Sequence, residues 1–412
     1  MQENIKKNML WNAAGNLAYL FAQWLLTVFV TRLWGFYTAG VFSIALSVSA
    51  TLSTLALFGI RHYQVSDVSH RYSDTAYVTL RAFTSLLSLL VCPIVTLLMG
   101  YTGETLAATV LYMLFRLAEC YSDVLHGVSQ SRGRLYLAGM GFAIKSAALL
   151  LGFFLGYFVF KTLLASLAVM AAFSWATTLL YDLPMAKRTA SFRLFASARE
   201  ALSLGGNTLL LFVYLFLYSA VSTVGKYLLE LSYGESVLGA YSSIFAPALL
   251  ISAAATYLYN PFTPTFASLY AEGKKREFLV LCGKIVLVLT ALVALLLPLG
   301  HLLGEWGLSL LFGESIRAYA YMLLPILLTV YGTALFGFFC MLAVTLRAFL
   351  PLIASCALCL TATAVLSRLF LTHTGENGAS LGMTLAYLCA SALLFGGVLY
   401  RLYHPKGDSH VK

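Results

Sequence analysis

The sequence predicts an all-α polytopic membrane protein of about twelve transmembrane helices, in two six-helix bundles related by a parallel internal repeat. Three observations carry that expectation. Hydrophobic residues make up 60% of the 412 residues and charged residues only 10%, whereas a water-facing surface takes roughly 25% charged residues. Apolar runs of about 20 residues, the length that crosses a hydrocarbon core, recur along the chain. Motifs at helix starts in the first half return in the second. The composition excludes a soluble enzyme, a nucleic-acid-binding domain and a secreted disulfide scaffold.

The first span covers about 9–31, behind Lys6 and Lys7. A charged start before an apolar run resembles a signal peptide. This run passes 20 residues to Arg32 with no small-residue cleavage site, so it reads as an uncleaved helix. Spans two to six follow at about 37–59, 76–99, 105–127, 136–159 and 162–182, the last two parted only by Phe160, Lys161 and Thr162. Residues 184–201 then form the longest non-spanning stretch, opening on Pro184 and carrying four basic residues. Alternation of these with Phe192, Leu194 and Phe195 fits an interfacial helix on anionic lipid; a solvated connector fits equally. Spans seven to twelve lie at about 203–226, 236–258, 278–300, 318–342, 349–371 and 379–401. The expected organisation is therefore a bundle over 1–183, a basic connector over 184–201 and a second bundle over 202–412.

Loop charge sets the orientation. With the amino terminus in the cytoplasm, 17 of the 26 Lys and Arg residues fall on inner segments, and only Arg32, Lys161 and Arg317 on outer ones. The positive-inside rule then predicts both termini in the cytoplasm. A net charge of +10 is largely this asymmetry.

The repeat rests on matched turns. Gly35, Gly40, Val41, Phe42 and Ser43 lead into span two; Gly234, Gly239, Ala240, Tyr241 and Ser242 lead into span eight, 199 residues on. Both fit G-x4-G-[AV]-[FY]-S. Gly103, Glu104 and Ala108 precede span four, and Gly313, Glu314 and Ala318 precede span ten, displaced by 210. Asn16 and Asn207 open spans one and seven in the same way. An even number of helices per repeat gives both halves one orientation, with an axis along the membrane normal and a cavity between them.

These same stretches carry a family resemblance. Arg32 to Gly35, Gly40 to Ser43 and Phe58 to Arg61 look like the opening signature of polysaccharide biosynthesis exporters. Tyr233 to Ser242, Pro261 to Pro264 and Gly304 to Gly313 resemble the corresponding second-half regions. The chain thus resembles the Wzx-type polysaccharide and O-antigen flippases of the multidrug/oligosaccharidyl-lipid/polysaccharide (MOP) exporter superfamily. The resemblance implies a V-shaped pair of six-helix bundles and alternating access. It implies a bacterial inner-membrane location, and polyprenyl-diphosphate-linked oligosaccharides moved from the cytoplasmic to the outer leaflet for cell-surface polysaccharide. Lipid II flippases of the superfamily typically have two extra helices, so twelve spans favour the oligosaccharide branch.

Ionisable groups at membrane depth cost roughly 2.5–3.5 kcal/mol each and usually face a cavity or a partner. In span four Arg116, Glu119, Asp123 and His126 are spaced by three, four and three residues, which places them on one face. They read either as a cavity wall whose Glu119 and Asp123 accept a coupling proton or sodium ion, with Glu119 deeper and therefore favoured, or as a structural Arg116–Glu119 pair with Asp123 and His126 at the rim. Lys145 lies about 15 Å into span five; it either pairs with Glu119 or faces a diphosphate. Arg61, Arg81 and Lys284 sit at inner helix ends, singly as snorkelling anchors, together as an electropositive vestibule for a diphosphate headgroup. Candidate substrate contacts are therefore Arg61, Arg81, Arg116, Lys145 and Lys284. Lys226 and Arg368, at outer ends, read as anchors. The interior then holds six cations against the two carboxylates Glu119 and Asp123, a balance that suits an anionic substrate.

Asn8, Asn12, Asn16 and Gln23 share a face of span one, as sugar-binding amides or as interhelical glue, with glue preferred. Gly152 and Gly156 form a GxxxG packing face, and Pro93, Pro247 and Pro325 fall where they could bend spans three, eight and ten. All seven cysteines lie in apolar runs and read as small hydrophobes; Cys356 and Cys359 lack a second ligand pair for a metal. No cofactor is expected, and no P-loop, HExxH or GxSxG is present. An O-antigen ligase or polymerase would need a longer outer loop than 301–317. A cation-coupled multidrug antiporter of the same superfamily shares the architecture and is the nearer alternative. The repeat and the buried charges argue against a purely structural role.

Overall fold

A computed structural model describes residues 2–67, 71–193 and 198–404. Among them the chain is helical almost throughout, with no strand. In lipid an unpaired backbone amide costs several kcal/mol, and a helix satisfies all its amides within one segment.

The first helix, α1 (Gln2–Leu57), has 56 residues. Straight, it would run about 84 Å, nearly three times the hydrocarbon thickness. It breaks at Gly35, where φ is 80° and ψ −174°, into two helices of crossing length. After α2 (Ile60–Ser66) come α3 (Asp74–Leu98), α4 (Gly103–Gln130), α5 (Leu135–Phe160) and α6 (Leu163–Thr177). A π-helical turn at Thr178–Asp182 carries α6 into α7 (Leu183–Thr189). There follow α8 (Ala198–Tyr233), α9 (Glu235–Tyr259), α10 (Thr263–Ala271), α11 (Lys275–Phe312), α12 (Leu323–Thr345), α13 (Phe349–Thr374) and α14 (Gly378–Tyr403).

Nine stretches are long and apolar enough to cross a membrane, and Leu10–Ser66 and Phe349–Tyr403 each hold two helices. With the charged α4, which exceeds the length but not the hydropathy needed, the described residues contain twelve helices of crossing length. Large apolar side chains such as Leu98, Leu180, Leu302 and Leu350 are fully open on the outer surface, as lipid-facing positions should be.

The repeat is present in the backbone. Gly234, just ahead of α9, has φ 81° and ψ 173°, within 1° and 13° of Gly35. That region of backbone is essentially reserved for glycine, so the two G-x4-G motifs mark one structural event. Gly103 and Gly313 also share positive φ at the two later turns.

Two compact units form, Met1–Ser219 and Ala220–Lys412, their boundary lying within α8. The first packs Leu26, Phe42, Tyr112, Phe115, Phe153 and Met170 into a core, with a second cluster around Ile60, Tyr77, Val124 and Leu204. In the second, Phe266 meets Phe278 edge-on at 4.9 Å and lies 6.0 Å from the buried Phe338.

Small residues bring helices together where no hydrophobic drive exists between apolar surfaces. A Cβ on Gly152 would stand 2.9 Å from Met170 Cα and one on Gly156 2.6 Å from Ser166 Cα, so the expected GxxxG is the α5–α6 seam. A second seam escaped the sequence reading: Gly378 and Gly382 press α14 onto α13 at Leu371 and Ser367. Pro93 and Pro247 lie inside α3 and α9. Pro325 does not bend its helix, being the third residue of α12, where a missing N–H removes no helical bond. The connector begins helical, as α7, and continues without regular structure over residues 190–193. Leu194 and Phe195 lie outside the described residues.

Candidate functional site

The i, i+3, i+7, i+10 spacing on α4 does put four ionisable groups on one face. Arg116, Glu119, Asp123 and His126 all line one cavity in the first unit, with Tyr19, Ser122, Phe142 and Lys145. Its volume is about 160 Å³. That is room for about five waters, and less than the several hundred Å³ of a small-molecule pocket.

Three ion-paired groups surround it. Glu119 accepts from Arg116 Nη1 one helical turn away, from Gln23 Nε2 at 2.7 Å and from the Tyr19 hydroxyl. Asp123 is gripped from both sides. Arg61 Nη1 reaches Oδ1 at 3.1 Å and Arg81 Nη2 reaches Oδ2 at 2.8 Å. Arg61 also donates to Gln130 Oε1 at 2.8 Å, and Arg81 to the Ala56 carbonyl at 2.7 Å.

The third group centres on Asp182. Its Oδ1 lies 3.0 Å from His126 Nε2, and its Oδ2 accepts from Ser122 Oγ and lies 3.4 Å from Lys145 Nζ. Lys145 also donates to Ser122 Oγ and to the Ala118 carbonyl at 3.3 Å. Gly141 leaves the space for this: a Cβ there would come within 2.6 Å of Asp182 Oδ1 and 2.8 Å of His126 Nε2. The edge of the Phe142 ring packs on His126, centroids 5.0 Å apart.

Two expectations change here. Lys145 pairs with Asp182, not Glu119. The membrane-depth carboxylates are three, not two, because Asp182 was read as the end of a span. The helix instead runs on to Thr189 through a π turn at Thr178–Asp182, and Asp182 within it is 2% exposed. In sequence the only signal was one acid in an otherwise apolar run, two residues before Pro184.

Exposure sorts the expected contacts. The Arg61 and Arg116 side chains are 23% and 25% open, while Arg81 and Lys145 are sealed at 0% and 2%. Lys284 lies in the other unit, exposed on α11. The cluster in the first unit thus holds four cations, Arg61, Arg81, Arg116 and Lys145, against Glu119, Asp123 and Asp182. It carries one positive charge in excess with His126 neutral.

Lys226 is not a snorkelling anchor. It is 6% exposed, its ammonium over the Phe245 ring at 5.4 Å, where Gly225 draws α8 close to Met383 of α14. Arg368 is exposed, as an anchor should be. Asn8 donates to the Gly133 carbonyl at 3.0 Å and accepts from Tyr136 N of α5 at 3.3 Å, and Gly15 packs on Gly139 so tightly that a Cβ would meet its carbonyl; this end of the amide face is an α1–α5 seam, while Gln23 turns to Glu119 of α4. The cysteines are free thiols, all buried except Cys389. Among the described residues no group of three or more His, Cys, Asp or Glu is placed to hold a metal ion.

No family model matches the chain. It is 24% identical over 329 residues to the capsular polysaccharide biosynthesis protein CapF of Staphylococcus aureus, covering 75% of this chain and 78% of that one. Among solved structures it superposes on an inward-facing multidrug resistance MATE family transporter of the MOP superfamily. The TM-score is 0.71, with 15% identity, over 97% of this chain and 96% of the other. It also superposes on the lipid II flippase MurJ, with TM-score 0.66 and 12% identity, over 93% and 87%. The fold is that of MOP-superfamily transporters, and the resemblance to their polysaccharide branch is borne out.

Proposed function

We propose that this polytopic membrane protein of MOP-transporter fold flips a polyprenyl-diphosphate-linked oligosaccharide from the cytoplasmic to the outer leaflet. Alternating access moves the headgroup, and both termini are cytoplasmic, as the loop charges suggest. The observation that carries the reading is the cation surplus at membrane depth. A diphosphate leaving the interface needs fixed positive charge and N–H donors, and four cations against three carboxylates supply both. Similarity to a capsular polysaccharide biosynthesis protein supports the substrate class.

The roles divide by exposure. Arg61 and Arg116, each a quarter open, are the headgroup contacts of the first unit, and Lys284 is a separate candidate contact on the second. Arg81 and Lys145 act from beneath, holding Asp123 and Asp182 in place. At about 160 Å³ the cavity takes waters or a single phosphoryl group, so the sugar chain lies outside it. Glu119 and Asp123, both of which line the cavity, remain the coupling candidates on α4, and Glu119 has a hydroxyl and an amide beside it. An MOP-type drug antiporter is the second reading, favoured only by the superposition on a MATE transporter.

Deleting the gene tests the choice. Cells should lose surface polysaccharide and accumulate the lipid-linked oligosaccharide on the inner leaflet, with unchanged drug susceptibility. Intact surface glycan with heightened drug susceptibility would instead establish the antiporter.

A further inference from the structure

Lys145 is an ammonium buried among oxygens in a pattern that a metal cation would also accept. An ammonium has three N–H donors, and Nζ finds three acceptors: the Ala118 carbonyl at 3.3 Å, Ser122 Oγ and Asp182 Oδ2 at 3.4 Å. Thr178 Oγ1 completes the wall, 3.0 Å from Ser122 Oγ and 3.2 Å from the Ala118 carbonyl. Lys145, Ser122, Thr178 and Asp182 are all at most 2% exposed. One carboxylate, two hydroxyls and a backbone carbonyl gathered around a buried ammonium, beside the cavity, make a hard-oxygen set. Transporters hold alkali ions at midplane with such carbonyl and carboxylate oxygens.

We propose that the oxygen cage of Ala118, Ser122, Thr178 and Asp182 is a monovalent-cation site permanently filled by the chain's own Lys145 ammonium. A tethered cation satisfies the cage without any dissolved ion, so the native protein has no sodium requirement at this position. Removing the ammonium uncovers an alkali-ion site. The cage borders the cavity on the side of Ser122 and Lys145, and its other neighbours are already engaged. His126 Nε2 holds the other oxygen of Asp182, Phe142 of α5 packs on His126, and Glu119 and Asp123 of α4 are engaged by Arg116 and by the pair Arg61 and Arg81. No free carboxylate among them competes for the ion. The inference stands apart from the flippase reading, because binding is measured without any lipid substrate.

The test is thermal unfolding of the purified full-length protein in detergent, with choline chloride replaced stepwise by sodium chloride at constant ionic strength. Lys145→Ala should show a saturable rise of about 2 °C once sodium exceeds its Kd tenfold. The wild type and the Lys145→Ala, Asp182→Asn double variant should show none. A response to lithium or potassium in place of sodium supports the same cage with another size preference. The proposal is overturned by a folded Lys145→Ala protein indifferent to all three ions, or by one that unfolds in every alkali salt. It is equally overturned by a wild type whose saturable sodium response disappears with Asp182→Asn.

Discussion

Replacing Asp182 by alanine should be among the most destabilising single changes in the first unit. The carboxylate is sealed from solvent and faces three partners: His126 Nε2 at 3.0 Å, Ser122 Oγ, and Lys145 Nζ at 3.4 Å. Alanine leaves Lys145, itself 2% exposed, as an uncompensated buried charge. Breaking a buried pair from one side costs about 3–5 kcal/mol. Lys145 keeps its bonds to Ala118 and Ser122, which places the expected loss near the lower end, about 3 kcal/mol. Removing both charges is far milder. Lys145→Met with Asp182→Ala leaves only His126 and Ser122 short of a partner, about 1–2 kcal/mol, so the pair should show a coupling energy of at least about 1 kcal/mol. Reversible unfolding of the four proteins in one detergent measures it. Asp182→Ala within 1 kcal/mol of wild type, or a double variant that costs the sum of the singles, would refute the buried network as described.

Gly35→Ala and Gly234→Ala should each cost about 1–3 kcal/mol and should match one another, because the two residues share one glycine-only conformation; unequal penalties in unfolding measurements would mean the repeat is not structural at that turn. Gly139→Ala, whose Cβ would stand 2.3 Å from the Trp11 carbonyl, should cost about 1–3 kcal/mol by forcing α1 from α5, seen as a lowered Tm. Arg81→Met should destabilise by about 3 kcal/mol, for loss of a sealed partner of Asp123, and Arg61→Gln by at most about 1 kcal/mol, since Arg61 is a quarter solvated; the reverse order in unfolding data would contradict the burial difference.

Much of this architecture was legible because it is local. Apolar runs define helices whatever surrounds them, and Gly35 and Gly234 announce a kink because only glycine tolerates that backbone. The face of α4 was legible for the same reason: spacing along one helix fixes which residues align. Partnerships between helices were not. Lys145 pairs with Asp182 across helices, and the π turn that carries Asp182 leaves no trace in a hydropathy profile. The position of Lys226 near a helix end suggests an anchor, whereas packing between helices buries it to 6% exposure with its ammonium over the Phe245 ring. Distinguishing the partly open Arg61 and Arg116 from the sealed Arg81 likewise depended on packing, since all three look alike as arginines in or beside apolar runs.

The central claim is that the cationic membrane-depth cluster serves an anionic lipid-linked sugar. Its most direct test is reconstitution of the purified protein in vesicles with a fluorescent polyprenyl-diphosphate oligosaccharide, following access of the sugar to an external glycosidase. Transfer should run well above that of empty vesicles. Arg116→Gln should lower it by about tenfold or more, the equivalent of one charge-assisted hydrogen bond, with stability in detergent largely kept. Transfer no faster than in empty vesicles, or an Arg116→Gln protein as fast as wild type, would contradict it.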